Sequence, residues 1–121
     1  MIESTVVSVL NSAPAVQAIC GQRIYAFVRP QTDPLPAVVW QRVATTPINS
    51  LTGSSGLDNV RLQLSHYAET LLQAKQLAAA VSAALDGASE LKATRTMEMD
   101  DQDPETKHFR VVVDFNIWQR S

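Results

Sequence analysis

The stretch NVRLQLSHYAETLLQAKQLAAAVSAALDG, Asn59 to Gly87, decides the reading of this chain, because two hydrophobic periods meet in it without a gap. Val60, Leu62 and Leu64 alternate with Arg61, Gln63 and Ser65, the period of two shown by a strand with one buried face. From Thr70 the spacing changes. Leu71, Ala74, Ala78, Val81 and Leu85 recur in steps of three and four, the stripe of an amphipathic helix. Thr70 and Gln73 are placed for a capping box, and Asp86-Gly87 offers a stop at which glycine takes a left-handed conformation cheaply.

On the N-terminal side, Ile2, Val6, Val9 and Leu10 follow helical spacing, with Glu3 complementing the helix dipole, so a first helix runs to about Asn11. Ser12 and Pro14 open a shorter helical piece lined by Val16, Ile19 and Cys20 and ended by Gly21. Ile24 to Val28 reads as an edge strand, and Pro30, Pro34 and Pro36 make the next connection extended. AVVWQRV, from Ala37, has the composition of a central strand. TTPINSLTGSSGLDN, residues 45–59, reads as a long polar loop carrying isolated Ile48 and Leu51, of the kind that either acts in binding or lacks order.

On the C-terminal side, Lys92 to Met99 alternates again without showing which side faces inward. DDQDPETK is a turn. His108 to Trp118 is the strongest strand, with Phe109, Val111, Val113, Phe115 and Ile117 on one face and Arg110, Asp114, Asn116 and Trp118 on the other. The expected fold is α+β: one domain over residues 1–121, with a mainly antiparallel sheet of four to five strands. One face of the sheet is packed by a long helix at about 70–86 and by the N-terminal helix.

A length of 121 residues with 45% hydrophobic composition suits one core that needs neither disulfide nor metal. The net charge of -2 gives no global basic field, so neither specific nucleic-acid binding nor membrane attraction is expected. Seven Arg stand against three Lys, a balance that favours partly buried ion pairs and protein interfaces. The single Cys20 among apolar neighbours reads as a core residue in a reducing compartment. MIESTVVSVLNS carries an acid and a short apolar run, unlike a signal peptide or a membrane span, so a cytosolic protein is expected.

Catalytic chemistry has no visible carrier. The acidic cluster Asp100, Asp101, Asp103 and Glu105 lacks calcium-loop spacing and reads as a solvated hairpin tip. His66 and His108 have no partner at zinc-ligand spacing and read as ordinary strand-end residues. There is no GxSxG, SxxK or phosphate-loop pattern, so no enzyme, metal or cofactor is expected. The four main strands each carry an arginine: Arg42, Arg61, Arg95 and Arg110. On an open sheet face they would form a polar wall with Gln63, Asp114 and Asn116, either as cross-strand ion pairs or as an interface anchored by Trp118 and Tyr67. The alternative use of such a face is small-ligand or nucleic-acid binding through Arg61, Arg110 and Trp118.

The order GQRIYAF, LPAVVWQRV, a polar loop, RLQLSHYAETLLQAKQLAAAVSAALDG and a terminal FRVVVDFNIWQR resembles the tail-completion family of bacteriophages and prophages, tail terminators and head-tail joining proteins. The resemblance covers nearly the whole chain. It implies a structural, non-enzymatic protein without cofactors that forms a ring, typically a hexamer of itself. The ring caps the head-proximal end of the tail tube, stops its growth and presents a surface to a head-closure or connector protein. It would assemble in the host cytoplasm and reside in the virion tail. The interface candidates are then Arg61, Arg110, Asn116, Trp118 and Tyr67 on the open face and Ile48 and Leu51 in the loop.

Overall fold

The computed structural model describes residues 2–28, 34–50, 53–89 and 91–120, and the backbone alone for 2, 47–50, 53–57 and 119–120. Helices α1 (Ile2–Ser12) and α2 (Pro14–Cys20) lead into β1 (Ile24–Ala26), β2 (Ala37–Ser50) and β3 (Gly53–Ala68). Helix α3 (Leu71–Asp86), β4 (Thr94–Gln102) and β5 (Phe109–Arg120) follow. The five strands form one sheet in the order β1-β2-β3-β5-β4, antiparallel except for the β1-β2 pair. The expected α+β architecture is therefore the one observed.

The alternation read from β3 places its side chains correctly. Val60, Leu62 and Leu64 are fully buried, as are Val113, Phe115 and Ile117 opposite them on β5. Helix α3 covers this face with Ala74, Leu77, Ala78, Val81 and Leu85. Leu77 joins the stripe, whereas Leu71 at the first turn is 38% exposed. Each fully buried leucine contributes about 2 kcal/mol of transfer free energy. Val6 and Leu10 of α1 and Val16 and Cys20 of α2 complete the layer. Burial pushes the Cys20 thiol above its ordinary pKa, against a smaller opposing pull from Arg23, in keeping with a core role.

The caps follow the sequence in part. Thr70 Oγ1 accepts the Gln73 backbone N–H at 3.2 Å, and Pro14 stands at the start of α2. Gly21 closes α2 at φ 59, a conformation that favours glycine. Gly87 differs from expectation. Its φ is -78, so α3 ends in a right-handed conformation, with the Gly87 N–H bonded to Ala83 O at 3.0 Å.

The larger correction concerns the expected loop at residues 45–59, of which 45–50 and 53–59 are strand. β2 and β3 pair as one long hairpin from Ala37 opposite Tyr67 out to Ser50 opposite Gly53, and β5 extends beside them to pair Arg120 with Leu57. A ladder needs backbone donors and acceptors, not apolar side chains, so Thr, Ser, Asn and Gly can run in it where no helix lies above. Val43 is the extra residue of a bulge: Arg42 faces Leu62 and Ala44 faces Arg61. A second register shift follows Ile48. At the C-terminal end, β4 runs further than expected, so Asp100 and Asp101 are strand residues and the turn begins at Asp103. Asp103 Oδ1 accepts N–H bonds from Glu105 and Thr106, which hold its carboxyl below the usual range.

Candidate assembly surface

The face of the sheet away from the helices is built from the odd residues of β3, the even residues of β5 and Met97, Met99 and Asp101 of β4. Although no helix covers it, Ala37 and Val39 of β2, Ser65 of β3 and Val112 and Asp114 of β5 are buried there. Their cover is side chains. Asp114 is wholly buried, with Oδ2 accepting from Arg61 Nε at 3.1 Å and Nη2 at 2.6 Å, and Oδ1 accepting from Gln63 Nε2 at 3.2 Å. Gln63 Oε1 in turn accepts from Gln41 Nε2 at 3.3 Å, so one polar chain crosses β2, β3 and β5. Arg61 lies over this chain with half of its side chain in water.

Beside it, Arg110 pairs with Asp101 of β4. Burial works against the Arg110 charge, but bonds to Asp101 and Tyr67 more than offset it and raise its pKa. Trp118 is 41% exposed and Asn116 is half-buried opposite Arg61. Met97 and Met99, at 38% and 46% exposed, add an apolar strip along β4 that the sequence left unassigned. Towards the other end of the face, Tyr67, His108 and Arg110 line a cleft of about 570 Å³ together with the β4-β5 turn. The structure thus brings Arg61, Tyr67, Arg110, Asn116 and Trp118 onto one face. Ile48 lies apart in β2 opposite Leu57, and Leu51 is outside the described residues.

Two of the four arginines expected on this face are elsewhere. Arg42 faces Leu62 on the helix-covered side and pairs with Glu3 of α1. Arg95 faces Phe115, at the margin of α3. The register explains both: each sits opposite a core residue, and the chain of β4 slips by one position between Arg95 and Met97. On the same side, Lys75 of α3 binds Asp100 at 2.9 Å and Glu98 at 3.0 Å; these bonds raise its pKa and fasten the helix to β4.

His66 is the other correction. Far from an ordinary strand-end residue, it is fully buried on the core face, in line with Leu62 and Leu64. Its Nδ1 lies 2.9 Å from Val111 O and so carries the proton, while Nε2 is buried without a protein partner. Burial lowers its pKa to about 4, the Val111 carbonyl resisting in part. The sequence signal was present, since position 66 continues the inward series 60, 62, 64. Among the described residues no cluster of His, Cys, Asp or Glu could hold a metal ion, and no helix is long and apolar enough to cross a membrane.

These features can be set beside known proteins. A solved chain described as "Virion of native gene transfer agent (GTA) particle" superposes with a TM-score of 0.78 at 21% identity, covering 96% of this chain and 92% of that one. At that identity the likeness is one of fold. No curated protein sequence matches. The sequence model of tail completion protein gp17 matches residues 4–120. With all but the extreme ends of the chain matched, the protein belongs to the tail completion protein gp17 family, structural proteins of the bacteriophage tail.

Proposed function

We propose that this chain is a virion subunit that closes the head-proximal end of a tail tube. Copies of it, in the family's manner a ring of six, stop tube growth and offer a seat to a head-closure or connector protein. The observation that carries the reading is the family match over residues 4–120. The similarity of fold to a chain of a virion particle supports it. Assembly takes place in the host cytoplasm and the finished ring stays with the virion.

The open face is the surface offered to neighbours, with Trp118 and Tyr67 as aromatic anchors and Arg61, Arg110 and Asn116 as the polar complement. The alternative use of the face, as a nucleic-acid platform, loses support from the ion pairs. The guanidinium groups of Arg61 and Arg110 are each matched by a carboxylate, Asp114 and Asp101, so the face offers little net positive charge to a phosphate backbone.

The experiment is removal and restoration. Particles produced without this chain should show tails of uncontrolled length that stay unjoined to filled heads in electron micrographs, and supplying the chain should restore joined particles. Tails of normal length, joined normally in its absence, would overturn the proposal.

A further inference from the structure

The sheet ends in two unlike edges. At the β1 edge the chain turns sharply: Phe27 has φ 65, and the Val28 N–H bonds back to Ala26 O at 2.7 Å. This is a γ-turn with a positive central φ, a rare and strained arrangement for a bulky residue. It leaves Phe27 and Val28 60% and 74% exposed, with the Phe27 ring held 6.1 Å from that of Trp40. The turn leaves two apolar side chains largely in water, with the rest of their surface lining a cleft shared with Val39, Tyr67 and His108, and such strain concentrates at sites of function.

The opposite edge holds a cleft of about 360 Å³ between the C-terminal half of α3 and the start of β4. Phe115 forms part of its lining with Ala83 and Ala93, and Asp86 and Arg95 supply charge. An aromatic ring needs on the order of 150 Å³. The two features also match in position. The Phe27 N–H donates to Trp40 O, Trp40 faces Leu64 and Phe115 faces Leu62, so knob and cleft stand within one rung of each other on the inward-facing ladder. Trp40 and Phe115 both belong to the helix-covered side.

Charge favours the same pairing. Residues 22–28 contain one cation and no acid, whereas residues 94–107 contain five acids and two cations, and that edge stays net negative when Lys75 and Arg110, the partners of Glu98, Asp100 and Asp101, are included. Two β4 edges brought together would set acid against acid.

We propose that the Phe27-Val28 turn of one subunit inserts into the α3-β4 cleft of the next copy. The inference rests on the assembly reading above and adds to it a contact between copies at the sheet edges, which leaves the open face to the tube or the head partner. Different patches meet on the two sides, so the contact is heterologous, the kind that repeats around a closed ring.

The test is a Phe27→Cys, Ala83→Cys double variant, supplied to particles otherwise lacking the chain and oxidised after they are purified. Cys20 is fully buried and stays silent. A ladder of disulfide-linked multimers on a non-reducing gel, absent from either single variant, is the expected result. Joined particles that contain the double variant yet release only monomers would overturn the contact and leave the proposed function standing. So would a dimer formed by Phe27→Cys alone. Joined particles that contain no copy of the chain, wild-type or variant, would overturn the function and the contact together. Because the side chain of Phe27 is exposed, Phe27→Asp provides an independent arm: it should keep the wild-type Tm and lower the yield of joined particles at least tenfold, and a wild-type yield would overturn the proposal.

Discussion

The two faces of the sheet bury residues by different means. Under α3 and α1, Leu62, Leu64, Val113 and Ile117 are covered by another element, and the layer is mainly apolar, with His66 inside it and the Arg42-Glu3 pair at its margin. On the other face, Val112 and Asp114 are covered by the side chains of their own neighbours, with Arg61, Gln63 and Gln41 lying over the strands. The first kind of burial depends on volume filled, the second on bonds satisfied. They should fail differently when residues are removed.

The largest effect is expected under the helix. Leu64→Ala should cost about 2 to 5 kcal/mol by chemical denaturation, since a fully buried leucine leaves a cavity beneath a long helix. A loss below about 0.5 kcal/mol would mean that the two faces have been interchanged.

Next comes His66, fully buried on that face. His66 has a folded pKa of about 4 against an ordinary 6.5, so as pH falls the unfolded chain takes up the proton first. The stabilisation is complete above pH 6.5 and is lost as pH falls toward 4, about 3 kcal/mol in all. Between pH 6.5 and 5 carboxylates add little, and denaturation curves there should show stability rising with pH. A flat profile in that interval would contradict a buried neutral imidazole.

The open face should respond less. Arg61→Ala strips the main partner from a buried carboxylate, a change that costs about 3 to 5 kcal/mol where both groups are dry. Here Arg61 is half in water and Gln63 keeps its bond, which brings the expected loss to about 2 kcal/mol. Arg110→Ala breaks a half-buried surface pair and should cost less than about 1 kcal/mol, so thermal denaturation of the two variants should separate them. Equal losses would show that burial of Asp114 has no energetic consequence. Smallest is Gln41→Ala, the outer link of the polar chain, at about 0.5 to 1 kcal/mol.

How much of this was legible in the sequence follows from the same contrast. Where alternation and helix cover coincide, as at Val60 to Leu64 and Phe109 to Ile117, the inward face could be named residue by residue. Position 66 obeys that alternation, although a histidine's polarity points the other way. The polar chain through Asp114 and Gln41 had no sequence signal for its pairing, because cross-strand register is set at long range. For Arg42 and Arg95 the sequence shows a strand position but not the side of the sheet. Register put each opposite a core residue, where Arg42 found a partner in Glu3. At residues 45–50 and 53–59 composition reports what the side chains prefer, whereas a ladder asks for backbone partners, so Thr, Ser, Asn and Gly there conceal two strands.

The bulge at Val43 has a consequence for how the chain tolerates change in length. Distal to it the hairpin arms pair mainly with one another and with the end of β5, and the helices make few demands on them. Two residues added to each arm would lengthen the projection by about 7 Å and return every side chain to its original side. One residue added to each would invert the projection while leaving the body of the domain in register. The reach of this finger could therefore be adjusted in fixed steps, as on a ratchet, without reopening the core.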